Sequence, residues 1–200
     1  MIRKTGEAGI AIIKSFESLH DGDLSVIGLQ PKMDPVGIWT EGWGHAIVYK
    51  GEFLKGKENK ELAYQLAKIK TKEEADELLS VDLKPRESFV NEFVSTTVTQ
   101  NQFDAMVSLV YNIGTGNFST SSVLRYTNLK QFDKAANSFK LFNISGGKVL
   151  LGLVRRRQAE KELFLKADEQ KENIDWIEKH TKPKPMDILF PIYKYLIKSA

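Results

Sequence analysis

Three polar residues stand in an order that could support acid–base chemistry: Glu17, then Asp34, then Thr40. Splitting a glycosidic bond calls for two carboxyl groups in different protonation states. One gives a proton to the leaving oxygen; the other stays ionised, to deprotonate water or to attack directly. Glu17 suits the first role. Phe16 and Ile13 can desolvate it, and a helix C-terminus carries negative partial charge; both favour the protonated form. Asp34, just before Pro35-Val36-Gly37, lies in turn chemistry where backbone amides and water can keep it ionised. Thr40 is close enough along the chain to return across a tight hairpin and hold a water against Asp34. Spacing alone does not settle the set, because Asp21 and Asp23 compete for the second carboxyl role and a helical Glu is most often simply solvated.

These residues need elements to position them. Thr5 can cap a first helix whose apolar stripe is Ala8, Ile12, Phe16 and Leu19, and Asp21-Gly22-Asp23 should end it near His20. Glu17 then falls in its last turn. From Val36 to Phe53, Gly37, Gly42, Gly44 and Gly51 punctuate β-branched and aromatic residues, which predicts short twisted strands and the chain's only β region. The rest reads as helix. Asn59 to Lys70 is one segment. Thr71-Lys72-Glu73-Glu74 is a capping box opening a longer helix toward Ser95, with a kink or break at Pro85. Thr99-Gln100-Asn101-Gln102 is a second box, ahead of a helix ended by Gly114 and Gly116. Further helices are expected at Ser121–Tyr126, Leu129–Phe142 and Leu150–Lys166. A small β region followed by many helices makes an α+β protein of two lobes.

Length and composition agree with a globular domain. The chain has 200 residues, 42% of them hydrophobic and 28% charged. A domain of this size buries roughly 70% of its unfolded surface and needs no staples. It has no cysteine, which excludes disulfides, Cys-zinc sites and a thiol nucleophile. The net charge of +3 is well short of a nucleic-acid-binding domain's density, so no nucleic acid partner is expected, although mild attraction to anionic wall polymers is compatible with it. Glu7, Lys14 and Glu17 interrupt what would be the apolar core of a signal peptide, and no stretch approaches the ~20 apolar residues of a transmembrane helix.

Three ordered blocks carry a resemblance. The first is Ile13-Lys14-Ser15-Phe16-Glu17 followed by Asp34-Pro35-Val36-Gly37-Ile38-Trp39-Thr40-Glu41-Gly42-Trp43-Gly44-His45. The second runs Gln102-Phe103-Asp104-Ala105-Met106-Val107-Ser108-Leu109-Val110-Tyr111-Asn112-Ile113-Gly114, and the third Gly152-Leu153-Val154-Arg155-Arg156-Arg157-Gln158-Ala159-Glu160. Together they resemble the phage-type (T4-like and lambdoid) lysozymes, the endolysin family of glycoside hydrolases, over residues 8–166. The resemblance implies a lysozyme-like fold with a small N-terminal β lobe, a larger helical lobe and an inter-lobe cleft. It implies Glu17 as acid, Asp34 as water-activating base and Thr40 as water-positioner. The implied reaction is inverting hydrolysis of the β-1,4 bond between N-acetylmuramic acid and N-acetylglucosamine in bacterial peptidoglycan, with no metal or other cofactor, by a monomer. The chain departs from the family pattern in about eight extra residues within His20–Met33, in Ser18 after the acid, and in Glu41 and Trp43 within the glycine-rich motif. Strand alternation should point Glu41 away from the cleft.

Other residues have assignments of their own. His45 is expected to be structural, tied to Asp82 on the inter-lobe helix. Asn112 is placed on the cleft, as a sugar or peptide contact or a helix cap. Arg155, Arg156 and Arg157 splay around a helix: one should pair with Glu160 or another internal carboxylate and the others meet solvent, with Arg156 the candidate contact for a stem-peptide carboxylate. His20, Asp21 and Asp23 read as a loop and not as a metal site. The division is a catalytic domain at 1–166 and an extension at 167–200, in which Pro183 and Pro185 precede an apolar segment, Asp187–Lys198, expected to pack back on the body. Without a signal sequence the protein is expected to be held in the host cytoplasm until a holin or lysis releases it to the wall. The competing functions are a lytic transglycosylase and a non-catalytic wall-binding module.

Overall fold

The structure, a computed structural model, describes residues 2–17, 19, 21, 22, 26–34 and 36–167. The expectations about Ser18, His20, Asp23 and residues 168–200, with the apolar segment Asp187–Lys198, fall outside them. The chain divides into two units, Met1–Lys166 and Ala167–Ala200.

The first helix, α1, spans Glu7–Glu17 and ends on the candidate acid. Its cap differs from the sequence expectation. Thr5 turns to Glu87, whose Oε1 accepts from the Thr5 amide at 2.7 Å and its hydroxyl at 2.8 Å. The N-terminus is instead capped from a distance: Asp104 Oδ1 accepts from the Gly6 amide at 2.9 Å and Oδ2 from the Gly9 amide at 3.2 Å. A buried carboxylate on these orphan donors satisfies them and opposes the positive end of the helix. The buried face is also rotated from the expected stripe, with Gly9 and Ile13 buried and Ala8 exposed. The close approach of Asp104 to Gly9, which a Cβ there would obstruct, sets that rotation.

The β lobe begins earlier than expected. Strands β1 (Lys32–Met33), β2 (Trp39–Glu41) and β3 (His45–Ala46) form an antiparallel sheet in the order β1-β2-β3. Strands β4 (Val48–Tyr49) and β5 (Glu52–Phe53) make a separate hairpin. A helix α2 (Lys60–Leu66) closes the lobe over its own small core of Trp39, Ile47, Leu54, Ala63 and Ala67. It stops short of the expected Lys70 because Glu41 Oε2 accepts from the amides of Lys68 and Ile69 at 2.7 and 2.9 Å, fixing that stretch in extended form.

The lobes are joined by α3 (Lys72–Phe93), opened by the full Thr71–Glu74 capping box. Pro85 neither breaks nor ends it. The carbonyl that loses its partner belongs to Val81, an exposed residue, so water can take that bond. Helix α4 (Gln100–Ser119), also opened by a complete capping box, is the centre of the large lobe. Every residue from Gln102 to Val110 is buried, as expected of a helix enclosed on all sides. Gly114, at φ 79 and ψ 160, interrupts the helix where the sequence places its end, but helical turns resume through Ser119. Around α4 pack α5 (Ser122–Asn128), α6 (Phe132–Ser138) with a 3-10 turn at Phe139–Phe142, and α7 (Leu151–Leu165). Phe103, Phe118, Phe139 and Phe164 are almost wholly buried here, each contributing about 1.5–3 kcal/mol.

A second β region, absent from the sequence reading, precedes α7: β6 (Ile144–Ser145) and β7 (Lys148–Val149) pair around Gly146-Gly147, both at positive φ. Two glycines between short apolar runs were the available signal.

Candidate active site

Glu17 reaches the cleft because α1 delivers it there. The capped N-terminus lies on Asp104 of α4, and Ile13 locks the helix into the main core. At the other end, Glu17 Oε1 receives Arg156 Nη1 at 2.5 Å. The Glu17 side chain is 21% exposed and that of Arg156 3%, so the contact joins a cleft-wall carboxylate to an interior guanidinium. Its second oxygen, Oε2, faces the β lobe: a Cβ built on Gly44 would stand 3.2 Å from it. Gly44 is also at φ +91, so two separate constraints call for glycine opposite the acid.

Arg156 does not stand alone. Glu160, fully buried, accepts from Arg156 Nε at 3.2 Å, from Arg157 Nη2 at 3.0 Å and from Ser108 Oγ at 2.7 Å, all on Oε1. Its Oε2 lies 2.8 Å from Arg157 Nε as an ion pair outside hydrogen-bond alignment. Arg156 Nη2 also reaches the Ser108 carbonyl at 3.4 Å. Burial works against charge at both ends of this pair, pushing Glu160 up and Arg157 down, while their attraction opposes it. The arginine run therefore departs from the expectation. Two of the three, Arg156 and Arg157, are buried and share one carboxylate; Arg155 alone is exposed. Arg156, expected to meet a stem peptide, lines the cleft but has its guanidinium committed to Glu17, Glu160 and Ser108.

The hollow beside Glu17 measures about 310 Å³ and is lined by Phe16, Asn112, Leu150, Gly152, Leu153 and Arg156. Asn112 is exposed and shares this hollow with the acid. The apolar wall of Leu150 and Leu153 was not anticipated. A larger hollow, about 780 Å³, lies by the α3–α4 connection, but among its described lining residues there is no carboxylate, so it is no place for acid–base chemistry.

Asp34 and Thr40 sit on the β1–β2 hairpin. Asp34 Oδ1 accepts from the amides of Val36 at 2.9 Å and Ile38 at 2.8 Å, closing the turn and leaving Oδ2 outside those bonds. The Asp34 amide donates to the Ile38 carbonyl at 2.8 Å, so these residues are cross-strand neighbours, while Thr40 pairs with Lys32. Cross-strand partners share a face and alternate residues return to it, which puts Asp34 and Thr40 on the same face as diagonal neighbours, roughly 7–8 Å apart at the backbone. Thr40 is buried, with its hydroxyl donating to the Lys32 carbonyl at 2.8 Å. Glu41 points away from the cleft to hold Lys68 and Ile69.

Behind the site, the glycine-rich turn is anchored to the large lobe. Tyr111 donates its hydroxyl to the Trp43 carbonyl at 3.1 Å, and Trp43 Nε1 donates to Asp76 at 2.7 Å. Burial raises Tyr111, keeping it a donor. Burial would raise Asp76 as well, but Lys14, Trp43 and Lys72 outweigh it and bring it down to about 2. His45 Nδ1 lies 3.0 Å from both Asp82 carboxylate oxygens, and this hydrogen bond raises the imidazole above 6.5 against the effect of burial.

The phage lysozyme family model matches residues 25–160. The chain belongs to the phage lysozyme family. An endolysin of Bacillus phage B103 is 36% identical over 159 residues, which is 80% of this chain and 53% of that protein. The chain thus spans about half the length of the Bacillus phage endolysins it matches, at 53% and 54%. An endolysin of Acyrthosiphon pisum secondary endosymbiont phage 1 is 32% identical, with 79% of this chain and 95% of that protein covered. Among solved structures, the muramidase domain of SpmX from Asticaccaulis excentricus is similar at TM-score 0.65 and 37% identity, over 82% of this chain and 99% of that one. The phage lysozyme fold is accordingly the α+β, lysozyme-like arrangement of lobes described above. Within this family member, the signal for the Arg156–Glu160 contact was legible as an i,i+4 spacing, whereas the reach of Arg156 to Glu17 was not.

Proposed function

We propose that the protein hydrolyses the glycan strands of bacterial peptidoglycan, cutting the β-1,4 bond between N-acetylmuramic acid and N-acetylglucosamine with inversion. The observation that carries this reading is the Glu17 carboxylate: one oxygen fixed on buried Arg156, the other turned toward the glycine turn of the β lobe. With Oε1 on Arg156, the transferable proton resides on Oε2. Glu17 gives it to the glycosidic oxygen as the bond to the anomeric carbon breaks. A water attacks that carbon from the opposite side, one hydrogen toward Asp34 Oδ2 and the other toward Thr40 Oγ1. Thr40 donates its own proton to the Lys32 carbonyl, so toward such a water it acts as an acceptor. Asp34 takes the proton, later passes it to solvent, and Glu17 is reprotonated. Inversion calls for carboxyl groups roughly 6.5–9.5 Å apart, with the water between them. Asn112 meets the sugar in the same hollow. The substrate lies outside the cytoplasmic membrane, reached through a holin or by lysis; among the described residues no helix is long and apolar enough to cross a membrane.

Digestion of purified peptidoglycan tests this directly. Mass analysis should find free reducing muramic acid ends, and early-time NMR should find the inverted anomer. Glu17→Gln and Asp34→Asn should each lower the rate about 10²–10⁴-fold while leaving the fold intact. A 1,6-anhydro end would mark a transglycosylase, and clearing by Glu17→Gln equal to wild type would remove Glu17 from the reaction.

A further inference from the structure

Glu160 touches neither the cleft nor Glu17, yet it holds both buried arginines of the large lobe. It is fully buried, and its Oε1 collects Ser108, Arg156 and Arg157. Arg156 in turn has only one of its nitrogens on Glu17, with Nε on Glu160 and Nη2 on the Ser108 carbonyl. A free arginine side chain samples many rotamers, and a fork held at two of its three nitrogens has little of that freedom left. We infer that Glu160, with Ser108, is a positioning residue that sets the placement and charge balance of the proton donor Glu17 by fixing Arg156. The inference rests on the acid role proposed for Glu17.

The charges count in favour of such a role. Glu17, Arg156, Glu160 and Arg157 alternate carboxyl and guanidinium groups along one chain of contacts. Removing the Glu160 charge leaves Arg156 uncompensated beside the acid, and an uncompensated cation favours the ionised form of a neighbouring carboxyl group. Among the described residues, the charged or titratable groups that face Glu17 include Arg156 and, farther away, Arg157 from α7, together with Tyr111 from α4. Those facing Glu160 are the same two arginines and the Ser108 hydroxyl.

The test compares four variants of the full chain on purified peptidoglycan: Glu17→Gln, Glu160→Gln, Ser108→Ala and Val123→Ala. Val123 is fully buried in α5, away from the cleft, and serves as the control for lost stability alone. Below its Tm, Val123→Ala should clear peptidoglycan at the wild-type rate. Glu160→Gln should lower kcat at least about tenfold with KM nearly unchanged, and move the alkaline limb of its pH profile toward lower pH. Ser108→Ala, which removes one hydrogen bond, should lower kcat less than Glu160→Gln does. If Glu160→Gln does not fold, Ser108→Ala decides by the same kcat criterion. Wild-type kcat and pH profile in Glu160→Gln, or in Ser108→Ala where only that variant folds, would overturn the inference and leave the cluster as packing. Full clearing by Glu17→Gln would instead sink the acid assignment itself, a separate result.

Discussion

Arg156 Nη1 lies 2.5 Å from Glu17 Oε1, across 139 positions of sequence. A residue of α7 thus holds the last residue of α1. The cleft wall is closed at the point where the two elements meet, and the acid's orientation depends on a contact that neither local segment specifies. Arg156→Lys keeps the charge but cannot reach Glu17, Glu160 and the Ser108 carbonyl from one compact ammonium. It should cost more in kcat than in KM. Arg156→Ala should in addition lower stability by about 3–5 kcal/mol, as removing one member of a buried ionic set does, read from denaturant midpoints.

Gly44→Ala should damage both stability and rate. The φ of +91 disfavours any side chain, costing about 1–3 kcal/mol, and the new methyl group meets Glu17 Oε2 at 3.2 Å. Urea unfolding and turbidity clearing measure the two effects. Gly51→Ala, with φ +85 and nothing within 4 Å, separates them: it should lose stability alone.

Asp104→Ala removes the remote cap of α1. Two backbone donors, Gly6 and Gly9, would lose their acceptor, at about 1–3 kcal/mol each if left unsatisfied. The expected result is a clear drop in Tm, with hydrogen exchange accelerated first in the opening turn of α1.

The His45–Asp82 pair gives stability a pH dependence of known sign. The folded imidazole is raised above its unfolded value of 6.5, chiefly by the Asp82 hydrogen bond. Its contribution is therefore fully present below that unfolded value and is lost as pH rises through the folded value. The Tm difference between wild type and Asp82→Asn, followed from about pH 5 to pH 9, should be larger at the acid end and shrink toward the alkaline end. A difference that grows with pH would contradict this.

Much of the architecture was readable from local chemistry. Both capping boxes, at Thr71 and Thr99, formed as the side-chain spacing dictates, because a cap involves residues three apart and little else. Gly114 marked a real interruption for the same reason. Where the sequence misled, a distant partner had won. Asp104 displaced Thr5 as the cap of α1, and Glu41 cut α2 short by taking the Lys68 and Ile69 amides. Helix α3 runs through Pro85, with the carbonyl that loses its partner on Val81, an exposed residue.

By itself, then, the sequence determined the order of elements, the family to which they belong and the identity of the candidate acid, since each depends on short-range spacing or ordered motifs. Only the tertiary structure decided what holds that acid. Three adjacent arginines look alike on a helix, and strings of residue types carry no information about which guanidinium is dry. Packing α7 against α4 and α1 buried Arg156 and Arg157 and left Arg155 in water. A buried charge must find its counter-charges, and for Arg156 those were Glu160 one turn away and Glu17 at the far end of the chain.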